Sequence, residues 1–88
     1  MLLSKTHLLG YYEWTKDPIN FLFTGVPTRR IFDRFNGRQV LFLINSFAQL
    51  SKSFSLEEGR EIENLVLNHL PLNTQSEKSV YNWLKSNI

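Results

Sequence analysis

RIFDRFNGRQVLFLI, residues 30–44, is the stretch on which the fold turns. Asn-Gly between two apolar-rich segments is the strongest short-range hairpin signal. Residues 40–44, VLFLI, are also rich in β-prone side chains. On that reading the stretch is two antiparallel strands. A second reading places a helix on each side of the same dipeptide. Asn36 with Gln39 has capping-box spacing. Val40, Leu43, Ile44, Phe47 and Leu50 recur at helical spacing, well past the strand-like run. Residues 30–35 lack the clean alternation of a half-buried strand. The helical reading leads, and the hairpin stands as the alternative.

Outward from this stretch, punctuation reads mostly as helix caps. Asp17 followed by Pro18 is a start signal, because Asp accepts from free backbone N–H groups and Pro tolerates the first helical position. Gly25 then closes a short helix at about 18–24. Thr28 caps a second, TRRIFDRF, ending at Asn36 and Gly37. The third runs over about 37–52. Ser55 and Glu58 repeat the capping-box spacing before a fourth at about 56–70, stopped by Pro71. Thr74 and Glu77 repeat it before the last, at about 75–87. Ile62, Leu65, Val66 and His69 share one face of the fourth helix; Val80, Trp83 and Leu84 share one face of the last. Residues 7–14, HLLGYYEW, are ambiguous: Tyr11, Tyr12 and Trp14 suit a strand, and Gly10 weakens a helix. The expectation is one small globular domain over 1–88, mainly α, a bundle of four to five short helices. An N-terminal strand or β-hairpin is the alternative, which would make it α+β.

Seven Phe, three Tyr and two Trp give an 88-residue chain enough large rings to build a core. There is no cysteine, which excludes disulfides, thiolate metal sites and a cysteine nucleophile. The opening MLLSKTHLLG is interrupted by Ser4, Lys5, Thr6 and His7, so it lacks the apolar run of a signal peptide. No run approaches the roughly 20 apolar residues of a membrane span. A cytoplasmic protein with no membrane partner is expected. Net charge is only +2. Residues 1–52 carry seven Lys/Arg against three Asp/Glu, and residues 53–88 carry three against five. Positive potential belongs to the first half.

Four of the five arginines lie in PTRRIFDRFNGR, residues 27–38. Guanidinium forks match carboxylates and phosphates and stack on rings. Arg29, Arg30, Arg34 and Arg38, with Tyr12 and Trp14 in the same half, have the Arg/Tyr/Trp composition of interface hot spots. They are the candidate partner-binding residues. The competing reading pairs these arginines internally with the acidic run Glu57, Glu58, Glu61 and Glu63, itself read as a solvated helical face.

The closing stretch VYNWL loosely resembles the recognition helix of homeodomain-type helix-turn-helix proteins. Val80, Trp83 and Leu84 stand where that family has Val, Trp and Phe, and SLEEGREIE, residues 55–63, is loosely similar to its second helix. The resemblance implies a helix-turn-helix-like nucleic-acid-binding regulator. It departs from the family where the chemistry lies. Ser86 stands at the adenine-reading Asn position, and Asn87 and Ile88 stand where basic residues would follow. The matching positions are those that pack on a core.

His7 and His69 have no second ligand at metal spacing, and His69 falls on an apolar stripe as a partly buried structural histidine. The glycines fit no phosphate loop. No carboxylate sits in an evident apolar pocket. No metal, cofactor or catalytic residue is expected. The functional expectation is a non-enzymatic interaction or regulatory protein that docks on a protein partner or on itself. Nucleic-acid binding is the alternative.

Overall fold

Asn36 and Gly37 do not turn a hairpin. In the computed structural model, which describes residues 2–18 and 20–88, Asn36 is an N-cap whose side chain accepts from the Gln39 N–H. Gly37 opens helix α1 (Gly37–Ala48). A Cβ at Gly37 would lie 2.6 Å from the Trp14 ring, so the glycine lets that ring lie against the helix start. Glu13 N–H donates to the Phe35 carbonyl at 2.8 Å, and Gly37 N–H donates to the Glu13 carbonyl at 2.9 Å. The Asn-Gly signal is therefore spent on a cap and a close approach. Gly37→Ala is expected to cost about 1–3 kcal/mol through overpacking, despite the roughly 1 kcal/mol that alanine gains in helix propensity. A urea midpoint checks this, and Trp14→Leu in the same background should recover part of the loss.

Two further helices follow, α2 (Leu56–Asn68) and α3 (Glu77–Asn87). Ser55 and Glu58 form the expected capping box. The last helix is capped by Ser76, which accepts from Ser79 N–H, and not by Thr74. Each helix is shorter than its periodicity suggested. Helix α1 stops before Leu50, which is exposed. Helix α2 stops before Leu70, which precedes Pro71 and is thereby steered out of the helical region. His69 is the C-cap of α2 and exposed, so it is not a buried structural histidine.

The bundle of four to five helices is corrected to three among the described residues, with one 3-10 turn at Lys5–His7. The described residues of 18–24 form no helix, and Ile19 lies outside the described residues. Residues 28–35 are neither a helix nor a hairpin arm. Ile31 makes an isolated antiparallel bridge to Ser76, and Glu13 a parallel one to Asn36. Burial over 29–32 does alternate: Phe32 is buried and Arg30 partly so, whereas Arg29 and Ile31 are exposed. The alternation is hidden in the sequence because a charged residue faces inward and an apolar one faces out.

The core lies between the helices. Val40, Leu43 and Ile44 of α1 meet Ile62 and Val66 of α2 and Val80 and Leu84 of α3. Phe47 stacks on Tyr81 with centroids 4.6 Å apart, joining α1 to α3. Leu3, Phe32, Phe54 and Leu70 close the core from the connecting segments. Leu3 packs so closely on α2 that a Cβ at Gly59 would fall 2.5 Å from its side chain. Among the described residues, no helix is long and apolar enough to cross a membrane.

Candidate functional site

The first 36 residues have little secondary structure of their own. Their backbone polar groups still need partners wherever they are covered. Polar side chains on the three helices supply them. Asn45 of α1 accepts from Leu3 N–H at 2.8 Å and donates to the Leu3 carbonyl at 3.0 Å, as a neighbouring strand would. Gln39 does the same for the next segment: Oε1 accepts from Asp33 N–H at 2.8 Å and Nε2 donates to the Ile31 carbonyl at 2.9 Å. Glu63 of α2, only 2% exposed, accepts from the N–H groups of Leu9 and Gly10 and from the Tyr12 hydroxyl. Burial first, and then the Glu63 carboxylate, push the Tyr12 phenol well above its usual range.

Glu77 is the centre of a larger network. It is the first residue of α3 and fully buried. Its carboxylate accepts from Thr28 N–H at 3.1 Å and from Gln39 Nε2 at 2.8 Å, and pairs with Arg30 Nε at 3.3 Å. A carboxylate at the first turn of a helix is also favoured by the helix dipole. Two expectations are corrected here. Glu63 does not belong to a solvated face, although Glu57, Glu58 and Glu61 do. Carboxylates do sit in buried surroundings, at positions 63 and 77, and donor groups compensate both.

The candidate arginines are divided between tasks. Arg30 lies over Phe23 at 4.8 Å and Phe21 at 5.6 Å while pairing with Glu77. Its Nη1 is buried without a hydrogen-bond partner. Arg38 donates to the Pro18 carbonyl at 3.2 Å and to that of Phe21. Together these two hold the segment that carries Phe21 and Phe23. Arg34 Nη2 donates to the Leu70 carbonyl at 3.1 Å. Arg29 is exposed, with no ion pair or side-chain hydrogen bond among the described residues. The internal partner of the arginine stretch is thus Glu77, not the acidic run of α2. Tyr12 and Trp14 pack edge to face, 5.8 Å apart, away from this group, on Glu63 and Gly37. The six candidates are not brought together on one surface.

The structure instead places exposed apolar side chains around Arg34. Ile31, Phe35 and Leu72 are 79%, 59% and 91% exposed. They line one open concavity of about 440 Å³, with Asp33 and Arg34 in its wall. Arg29 precedes Ile31 by two positions on the extended segment and shares its outward side. Sequence reasoning missed Ile31, Phe35 and Leu72 because it assigned the first two to a helix and read the third as loop. Asp33 is also paired with Lys16. Burial works to raise its carboxyl, but the Lys16 ammonium and the Phe35 N–H outweigh it and hold it below the usual carboxylate range. Stability from this depressed group is present above the unfolded value of about 3.9 and is lost as pH falls through the folded one. The acid limb of stability should therefore be shallower in Asp33→Asn. The effect should stay below about 1 kcal/mol, because the pair is exposed.

At the other end of the helices lies a second apolar concavity, of about 300 Å³. Leu50, Phe54, Ile62 and Ile88 line it, flanked by Glu58 and Glu61. Among the described residues, no group of three or more His, Cys, Asp or Glu side chains could hold a metal ion. No family model, curated protein or solved structure shows a significant match to the chain.

Proposed function

We propose that this chain is a non-enzymatic interaction module that docks on a protein partner through the end carrying Ile31, Phe35 and Leu72. The observation that supports this is the clustering of three exposed large apolar side chains on one concavity, with Arg34 in its wall and Arg29 beside it. Contiguous exposed apolar groups are what folded monomers minimise, unless a partner covers them. Arginines beside apolar anchors are the common composition of binding hot spots. Strand addition is not the mode, because Gln39 already occupies the free backbone edge at Ile31 and Asp33. The partner surface would be apolar and acidic, to match two guanidinium groups with donors to spare.

A photo-crosslinking residue at position 72 tests the reading in the cells that make the protein. A defined polypeptide should be captured there and not from position 64, on the exposed side of α2 and away from both ends. Leu72→Asp should weaken binding of that polypeptide at least tenfold without changing the circular dichroism spectrum. Equal capture from both positions, or unchanged binding by Leu72→Asp, would sink the assignment.

A further inference from the structure

We infer that a second copy of this chain is the occupant of the arginine-flanked end, presenting its glutamate-flanked end, so that copies associate head to tail. This rests on the reading of the Ile31, Phe35 and Leu72 surface as a docking site. The argument begins with the course of the helices. Helix α1 starts beside the extended segment and finishes at Phe47 and Leu50; α2 starts at Glu58 and Glu61 and leads back to Leu70; α3 starts beyond Gln75 and runs to Ile88. The concavity lined by residues 31, 35 and 72 and the one lined by residues 50, 54 and 88 therefore lie at opposite ends of one helical unit. Both are apolar; Arg29 and Arg34 border the first, where Asp33 is already paired with Lys16, and Glu58 and Glu61 border the second, with Lys52 on the adjoining turn.

Helix direction adds to the charge pattern. Two helix N-termini and one C-terminus point to the arginine end, and the reverse holds at the glutamate end, so the macrodipoles reinforce the side chains. The charged groups are free to pair across a contact. Arg29 has no ion pair among the described residues, and Arg34 spends one of its five donors on Leu70. Glu61 makes no hydrogen bond or ion pair among the described residues, and Glu58 is engaged only with Ser55. A twofold contact between like ends would set arginine against arginine, or glutamate against glutamate, and is disfavoured. The contact is therefore heterologous, and leaves one unused end of each kind on every dimer. With a few apolar anchors at each end the contact is small and weak, so association is concentration-dependent.

Sedimentation velocity on the full chain from 10 µM to 1 mM, at low and high salt, tests this. Mean mass should rise with concentration beyond twice the monomer at low salt, and fall back at high salt. Leu72→Asp blocks the arginine end and Leu50→Asp the glutamate end; both side chains are exposed, so the variants retain the fold. Each variant alone should stay monomeric. Their equimolar mixture should form a dimer and stop there, because the two ends left over are both blocked. A wild-type chain that stays monomeric at 1 mM, a single blocked variant that assembles like wild type, or a mixture that forms no dimer each overturns head-to-tail association. If the wild type is monomeric but position 72 still crosslinks to a different polypeptide, the self-association fails and the docking surface stands. If neither occurs, the docking reading fails as well.

Discussion

Glu77→Ala is expected to lower the unfolding free energy by about 3–5 kcal/mol, the usual loss when one partner of a buried pair is removed. The carboxylate is fully buried and meets three groups that would otherwise be orphaned: the Thr28 N–H, the Gln39 amide and the Arg30 guanidinium. Each unsatisfied donor in a covered site costs on the order of 1–3 kcal/mol. The loss is larger than for an ordinary salt bridge because the carboxylate itself is fully buried and holds three groups at once. Arg30→Ala should cost less, since Arg30 keeps part of its side chain in solvent and its removal leaves Glu77 with two remaining donors. The double variant should cost less than the sum of the singles, because the Arg30–Glu77 pair is lost only once and neither charge is left behind without the other. For a domain of this size, about 4–8 °C of melting temperature is lost per kcal/mol. Thermal and urea unfolding of the three variants measure the cycle. A loss below about 1 kcal/mol in Glu77→Ala would mean that the extended segment is not held by this network.

That network also explains which parts of the fold could be read from the sequence. Helices α1 to α3 were legible because their apolar stripes and their caps at Asn36 and Ser55 are local signals. The first 36 residues were not, because their order is set by groups far along the chain. Leu3 is fixed by Asn45, residues 9–12 by Glu63, and residues 28–33 by Gln39 and Glu77. Each of these polar residues lies on an apolar stripe: Glu63 with Gly59 and Val66, Glu77 with Val80 and Leu84, Gln39 with Leu43, Asn45 with Ala48. A polar side chain at such a position must be matched inside or expelled. Read that way, Glu63 and Glu77 would have been noticed as buried, though not which backbone they hold. Arg30 and Ile31 misled for a related reason. The inward position carries the charge that answers Glu77, and the outward one carries the apolar side chain of the proposed docking surface. The proposed docking role thus moves from four arginines to Arg29 and Arg34 with Ile31, Phe35 and Leu72.

Glu63→Ala should release residues 9–12 while the three helices stay folded, because Leu3 and Glu13 on either side have ties of their own. The carboxylate gathers Leu9 N–H, Gly10 N–H and the Tyr12 hydroxyl, and those residues have no other tie of comparable strength to α2. Hydrogen bonds to a charged acceptor contribute about 1.5–3 kcal/mol each when lost one at a time. Together they stabilise the docked arm by about 3 kcal/mol, once the entropy regained by a free segment is set against them. Because Val40, Ile44, Val66 and Leu84 do not depend on the arm for burial among themselves, the opening is local. Hydrogen exchange should therefore accelerate by about a hundredfold at Leu9 and Gly10 and change little in α1 and α3, since about 2.7 kcal/mol corresponds to that factor. Uniform acceleration through the helices would instead show that the arm and the core unfold together. Tyr12→Phe keeps both N–H bonds and loses only the hydroxyl's bond to the carboxylate, so it should cost about 1.5–3 kcal/mol. It should also remove an alkaline dependence. The folded phenol is raised, so its contribution is full below the unfolded value of about 10 and is lost as pH rises through the folded one. Above pH 10 the wild type should lose stability steadily, and Tyr12→Phe should lose less.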